Sequence, residues 1–481
     1  MYRPGDPSHD PPHAPPPGRV VRAMHAAYAL LPAWLRAVLR SVLPGFVREP
    51  LRERVAPHLQ AEAEAQARAQ ADAEAQAAAA AAAVAVAQAA RPAPLPAAAL
   101  RGDGICLIGY LHASFGLGES LRATARACAA AGVPFEIVDL PVAGKALHHD
   151  AQLEAHAVPV ATRAVQVCVY TANTLLEMGE AGSRAGAPGA YRIGVWFWEL
   201  ESFPAAWWPA FEEVDELWVA SPFVAAALAA GRKPVLTMPH AVDFALDRAY
   251  GRAQFGLPAD VFVVLFTFDF ESHAERKNPD AAIAAFLAAF PAGDEEAMLL
   301  IKTISGDLPQ HQAQLERLRA AAAVDARISV RDAALSREEA YGLISVCDVY
   351  LSLHRSEGFG LGMAEAMLLG KPVVATAYSG NLAFMNADNS CLVDYAMVPV
   401  GEGEYVHGAG QHWAQADTAQ AAQYLRRLHG EPAYRAALGA RAAQYMREHH
   451  AYAVAGRAIR ARLEEIAALR TAAERGGLAG A

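Results

Sequence analysis

From residue 101 onward, short continuous apolar runs alternate with longer segments in which apolar and polar positions are mixed. The runs GICLIGYL (104–111), PFEIVDL (134–140), AVQVCVY (164–170), RIGVWFW (192–198), ELWVAS (216–221) and PVLTMP (234–239) read as strands buried on both faces. Helices fit between them, beginning with GLGESLRATARACAAAG (116–132). The pattern breaks over 239–258 and restarts with VFVVLFTFDF (261–270), AMLLIKT (297–303), RISVRD (327–332), DVYLSLH (348–354) and PVVAT (372–376). Helices are predicted between this second set at about 278–290, 308–324, 336–346 and 361–370, and throughout 417–470. Alternation of this kind predicts an α/β chain with two Rossmann-like domains in tandem, each a doubly wound parallel sheet. Ligands of such sheets bind at the carboxyl ends of the strands, so two facing sheets make a cleft.

The first hundred residues follow other rules. Residues 1–18 hold seven prolines and read as disordered, with no apolar core of a signal peptide. Residues 19–57 are basic and amphipathic; they fit either an anionic membrane surface or the protein's own core. Residues 58–96 form an Ala-rich helical spacer and linker, suited to coiled-coil self-association through 58–90. The folded part then divides into an N-terminal Rossmann-like domain (101–240), a C-terminal Rossmann-like domain (241–450), a helix (451–470) that can pack back on the N-terminal domain, and a flexible tail (471–481).

Composition narrows the chemistry. A net charge of −10 argues against a nucleic-acid partner held by bulk charge, so an anionic ligand must meet a local basic patch. Five scattered cysteines without metal-type spacing read as reduced residues of a cytoplasmic protein, acting if anywhere on a membrane at its inner face. No Asp-x-Asp pair is present, and no metal or cofactor is expected.

The richest stretch is HRSEGFGLGMAEAMLLGKP (354–372). A strand ends at His354, a glycine-rich loop follows, and a helix starts near Leu361. Such a loop offers bare backbone N–H groups and the positive end of a helix to an anion. Glu357 and Glu365 cannot favour phosphate, but carboxylates accept hydrogen bonds from hydroxyls. A ligand carrying both phosphate and sugar hydroxyls, a nucleotide sugar, satisfies both demands.

This stretch, with its two glutamates separated by seven residues and GKPVV in the next strand, resembles the family-4-type retaining glycosyltransferases of GT-B architecture. RKNPDAAIAAF (276–286) and the hinge phrase MPHAVD (238–243) are similar to family segments as well. GYLHASFGLGESLR (109–122) and GVWFWELESFP (194–204) resemble a subset serving bacterial surface-polysaccharide assembly. The resemblance implies that Glu357 lies beside the donor sugar and Glu365 holds the ribose. It implies that Gly358 and the amides of Phe359, Gly360 and Leu361 face the sugar and distal phosphate, and that Lys277 binds the diphosphate of a GDP- or UDP-linked donor. The family's arginine before that lysine is missing, so Arg276, Lys302 or Arg355 must supply the second cation. Glu199 is the candidate catalytic contact to a glycan or lipid-linked acceptor. Tyr110, His112 and an FGLGES loop with Gly116 and Gly118 are further acceptor-side candidates, while Trp196 and Trp198 fit either sugar stacking or core packing. A nucleotide-sugar epimerase of the same fold, a glycoside hydrolase using Glu357 and Glu365, and a non-catalytic scaffold are the competing readings.

Overall fold

The computed structural model describes residues 95–141, 150–293 and 296–478. The expectations for residues 1–94 lie outside the described residues.

The first sheet contains β1 (Ile105–Gly109), β2 (Phe135–Asp139), β3 (Val165–Val169), β4 (Tyr191–Val195), β5 (Glu216–Val219) and β6 (Val235–Thr237), in the order β2-β1-β3-β4-β5-β6. The second contains β7 (Phe262–Asp269), β8 (Ala297–Ile304), β9 (Ile328–Asp332), β10 (Val349–Ser352), β11 (Val373–Thr376) and β12 (Cys391–Val393), in the order β12-β11-β10-β7-β8-β9. All pairings in both sheets are parallel. The α-helices longer than one turn are α1 (Gly116–Ala131), α2 (Ala172–Ala185), α3 (Pro222–Leu228), α4 (Pro279–Ala289), α5 (Gln312–Ala322), α6 (Arg337–Val346), α7 (Leu361–Leu368), α8 (Thr418–Gly430), α9 (Pro432–His449) and α10 (Tyr452–Leu478).

The continuous apolar runs have a simple cause. Successive strand residues point to opposite faces, and both faces are covered. On β1, Ile105 and Leu107 enter one core while Cys106 and Ile108 enter the other. On β7, Phe262, Val264, Phe266 and Phe268 face one core while Val263 and Leu265 face its counterpart. All five cysteines are free and buried.

Three features depart from the sequence expectation. The strand expected over 192–198 stops at Val195, because Trp196 and Trp198 leave the sheet and bury their rings beside Phe203 and Phe211. Residues 395–416, unassigned in the sequence, form an antiparallel hairpin of β13 (Tyr395–Pro399) and β14 (His412–Ala416). Its Trp413 is fully buried in the same core as Trp198, so the hairpin joins the two halves. Residues 471–478 are helical rather than a flexible tail: α10 runs on to Leu478 through a segment containing strong helix formers, and Arg470 anchors it by donating to Ala164 O (3.0 Å).

The end of the chain returns to the first sheet. Helix α10 lies against α1 so closely that a Cβ on Gly456 would sit 2.1 Å from Ala127 O. Arg462 pairs with the fully buried Glu216 of β5, its Nε donating to Oε1 at 3.1 Å. The two crossings between halves are zipped together, with Val242 N–H donating to His450 O (2.8 Å) and Tyr452 N–H to Asp243 Oδ2 (3.0 Å). Among the described residues no helix is long and apolar enough to cross a membrane.

Candidate active site

The carboxyl ends of the two sheets converge on a cavity of about 570 Å³. In the second sheet the order reverses between β7 and β10, and the segments after both strands line the cavity. In the first sheet it reverses between β1 and β3, and the segments after those strands line the opposite wall, joined by the one after β4. The cavity therefore lies where parallel-sheet topology opens a crevice in each half.

The turn after β7 is built from unusual backbone. His273 (φ 63°) and Asn278 (φ 60°) both occupy the left-handed region and bracket a single helical turn, Ala274–Lys277. That turn carries Arg276 and Lys277 into the cavity wall. Asn278 Nδ2 donates to Leu353 O (3.0 Å), and Arg355 N–H donates to Arg276 O (2.8 Å), so the turn is stitched to the segment leaving β10.

That segment is fixed from below. The fully buried His354 contacts Ser352, Tyr378 and Asn381 through its ring, while its carbonyl accepts from Thr376 Oγ1 (2.7 Å). Burial lowers the His354 pKa and keeps the ring neutral. Glu357 N–H donates to Ser379 Oγ, and Glu357 O accepts from Gly380 N–H, both at 2.8 Å. A Cβ on Gly380 would stand 2.1 Å from Gly358 O, so only glycine allows this approach. Gly360 (φ 99°) then turns the chain into α7. The first N–H groups of any helix lack an intrahelical acceptor, and Phe359, Gly360, Leu361 and Gly362 line the cavity.

Glu357 is the electrostatic centre. Arg276 Nη1 lies 2.9 Å from its Oε2, and Lys277 Nζ contacts its Oε1. Burial opposes ionisation of this carboxyl, yet the Lys277 ammonium and the Arg276 guanidinium outweigh burial and hold it well below the usual carboxylate range. Arg276 also donates to Ser356 O (2.9 Å). The triad itself carries one net positive charge beside a helix N-terminus, which favours an anion there, while Glu199, Asp269 and Glu271 line other parts of the cavity.

The facing wall brings Phe115, Thr171, Asn173, Phe197, Trp198 and Glu199. Glu199 accepts a hydrogen bond of 2.7 Å from Tyr405 of the hairpin. Tyr405, Asn173 and His273 carry no motif in the sequence; strand-end position was the only available signal for Asn173, and nothing marked Tyr405.

Several candidates sit elsewhere. The FGLGES segment is not a loop, because α1 begins at Gly116; Gly116 lines the cavity, but Gly118 is buried, where a Cβ would meet Ala113 O at 2.3 Å. Tyr110 packs on Phe115 beneath the wall. His112 is held by Asp139 Oδ2 (2.8 Å) and Glu154 Oε1 (3.3 Å). The Lys302 ammonium donates to Thr303 O (2.7 Å) and Ala333 O. Arg355 lies over Trp413 and near Glu404. Of the three candidate second cations, Arg276 is the one in the cavity wall. Trp196 belongs to the core rather than to a stacking surface.

Glu365 is a separate case. Its carboxylate accepts from Arg337 Nη2 (2.7 Å), which also lies 3.4 Å from Glu119 of the other half. Burial pushes the Glu365 carboxyl up to about 7 against the pull of Arg337, whose charge is shared with Glu119. Arg337 and Glu119 border a second cavity of about 480 Å³, and Glu365 lines neither one. The two glutamates do not share a cavity wall, and the geometry therefore offers no acid–nucleophile pair for a glycoside hydrolase.

Two parallel Rossmann-like sheets opening their carboxyl ends onto a common cleft define the GT-B-like fold of glycosyltransferases. Residues 262–401, which carry Lys277, Glu357 and Glu365, match the family described as Glycosyl transferases group 1. No curated protein matches the chain. Among solved structures, the chain is similar to sucrose-phosphate synthase from Thermosynechococcus elongatus (TM-score 0.57, 16% identity, covering 76% of this chain and 100% of that one). It is also similar to Anabaena HepE in complex with UDP-glucose (0.55, 14%, 76% and 100%). A glycosyltransferase from Rickettsia africae ESF-5 gives 0.52 at 11% identity, covering 76% and 99%. At these identities the likeness is one of fold.

Proposed function

We propose that the protein is a retaining glycosyltransferase that moves a sugar from a UDP- or GDP-linked donor to a hydroxyl of a glycan or lipid-linked acceptor in surface-polysaccharide assembly. The observation that carries this reading is the convergence of Arg276, Lys277, Glu357 and the α7 N-terminus on one interdomain cavity. The solved complexes of Anabaena HepE with UDP and glucose, in the same fold, support a nucleotide-sugar donor.

In transfer, the bond from the anomeric carbon to the diphosphate breaks, and a bond from that carbon to the acceptor oxygen forms on the same face. Negative charge grows on the leaving diphosphate. Lys277 and the free amides of Phe359, Gly360 and Leu361 are preorganised to stabilise it without a metal ion. The acceptor's proton passes to the departing phosphate oxygen, so no strong protein base is required. Glu357, kept ionised by its two cations, accepts hydrogen bonds from donor-sugar hydroxyls. Glu199 accepts one from the acceptor. Glu365 lines neither cavity, so its assignment to the ribose requires that the donor displace Arg337 and open a way to its carboxylate. Residues 19–57 hold the enzyme at the inner face of an anionic membrane, where a lipid-linked acceptor resides.

A thermal-shift screen with UDP-glucose, GDP-mannose and ADP-glucose tests the reading. One donor class is expected to raise Tm by about 5 °C at a hundredfold excess over Kd. An unchanged Tm with all three would overturn it.

A further inference from the structure

The hairpin connection between β13 and β14 reaches across to the other half and grips the segment after β4 at three points. Tyr405 Oη donates to Glu199 Oε2 (2.7 Å). His407 packs edge-on against Trp207, with ring centroids 5.0 Å apart. Gln411 Oε1 accepts from Ser202 N–H (3.0 Å). The connection is shaped for this reach: Gly403 (φ 74°) and His407 (φ 52°) both take left-handed backbone.

Tyr405 occupies a particular place within that grip. Its half-buried ring lies between His273 (4.7 Å) and Trp198 (5.8 Å), with the Arg276 guanidinium 6.0 Å from the ring centroid. Each of these residues lines the cavity. We propose that Tyr405 is a positioning residue that fixes the Glu199 carboxylate against the acceptor side of the cleft and away from the Arg276–Lys277 cations. This inference rests on the transferase reading above.

The physical need is specific. Glu199 and Glu357 are both carboxylates near Arg276, but only Glu357 contacts it. A carboxylate free to swing would compete for those cations and close the place left for a diphosphate. A hydrogen bond from a neutral donor holds Glu199 off without adding charge. Burial and the neighbouring Glu199 push the Tyr405 phenol well above its ordinary pKa, so it remains a donor across the working range. The bond uses one carboxylate oxygen and leaves the other available to an acceptor hydroxyl.

The test is a double-mutant cycle on the full chain, read as UDP or GDP release from UDP-glucose and GDP-mannose with water as acceptor. Tyr405→Phe keeps the ring and is expected to lower kcat about tenfold and to weaken the calorimetric Kd for UDP or GDP several-fold, because the freed Glu199 competes for the cations. In the Glu199→Ala background the same change is expected to cost nothing further, in kcat or in Kd, because its only target is gone. Gln411→Ala loosens the hairpin without touching Glu199 and is expected to leave kcat within about twofold of wild type. Additive losses in the cycle, or a Gln411→Ala loss as large as that of Tyr405→Phe, would reduce the tyrosine to a packing role and overturn the proposal alone. A wild-type chain that binds neither UDP nor GDP by calorimetry would overturn the transferase reading and this inference with it.

Discussion

The two sheets are close counterparts in architecture and opposites in the chemistry at their carboxyl ends. Both have six parallel strands with an order reversal that opens a crevice. The second sheet fills its crevice with paired charges, tight glycine turns and a helix N-terminus. The first fills its own with aromatic and hydroxyl or amide side chains and one carboxylate, Glu199. On the proposed reading, one half holds the charged diphosphate and the other receives a neutral, hydroxylated acceptor. A reaction that separates an anion from a sugar needs both on one cleft.

The sharpest way to break this contrast is at Glu357. Glu357→Gln removes the anion between a buried and a half-buried cation, so turnover is expected to fall by at least about a thousandfold and stability by about 3 kcal/mol. Steady-state kinetics and denaturant unfolding read the two effects; undiminished turnover would remove Glu357 from the site. Next in size, Lys277→Ala is expected to weaken UDP or GDP binding about a hundredfold by calorimetry. Equal affinity would mean that the charged half does not hold the diphosphate.

Glu199→Gln addresses the other wall. We expect kcat to drop ten- to a hundredfold, roughly, with donor affinity unchanged, since the loss falls on the acceptor side. A matching loss of donor affinity would erase the division between halves. The smallest effect concerns Glu365. Its folded carboxyl, pushed up to about 7, binds its proton more tightly than the unfolded chain does. The folded state therefore holds the extra proton, and this contribution to stability is lost as pH rises from the ordinary carboxylate range through about 7. Between pH 6 and 8 the wild type should lose a few degrees of Tm that Glu365→Gln retains. Parallel profiles for the two proteins would place the titration elsewhere.

What could be read from the chain follows the same division. The buried parallel strands announced themselves because both faces are covered, which makes their runs continuous, as in VFVVLFTFDF. The glycine loop was legible because Gly358, Gly360 and Gly362 stand beside Glu357 in a few residues. The ion triad was not, because Arg276 and Lys277 lie some 80 residues from Glu357 and meet it only through the β7–β10 pairing. The first sheet's wall was harder still. Glu199 was visible at a strand end, but its partner Tyr405 comes from a hairpin more than 200 positions away, in a glycine-rich stretch without periodicity. Tyr110, His112 and Lys302 show the converse. Each sits at or near a strand end, yet local carboxylates, carbonyls or rings take up its polar groups or packing surface.

The most direct measurement is a crystal structure of the full chain with UDP or GDP bound. The diphosphate is expected within hydrogen-bond distance of the amides of Phe359, Gly360 and Leu361 and of Lys277 Nζ, with Glu357 still held by Arg276. A diphosphate seated away from residues 358–362, for instance in the second cavity beside Arg126 and Arg337, would contradict that placement.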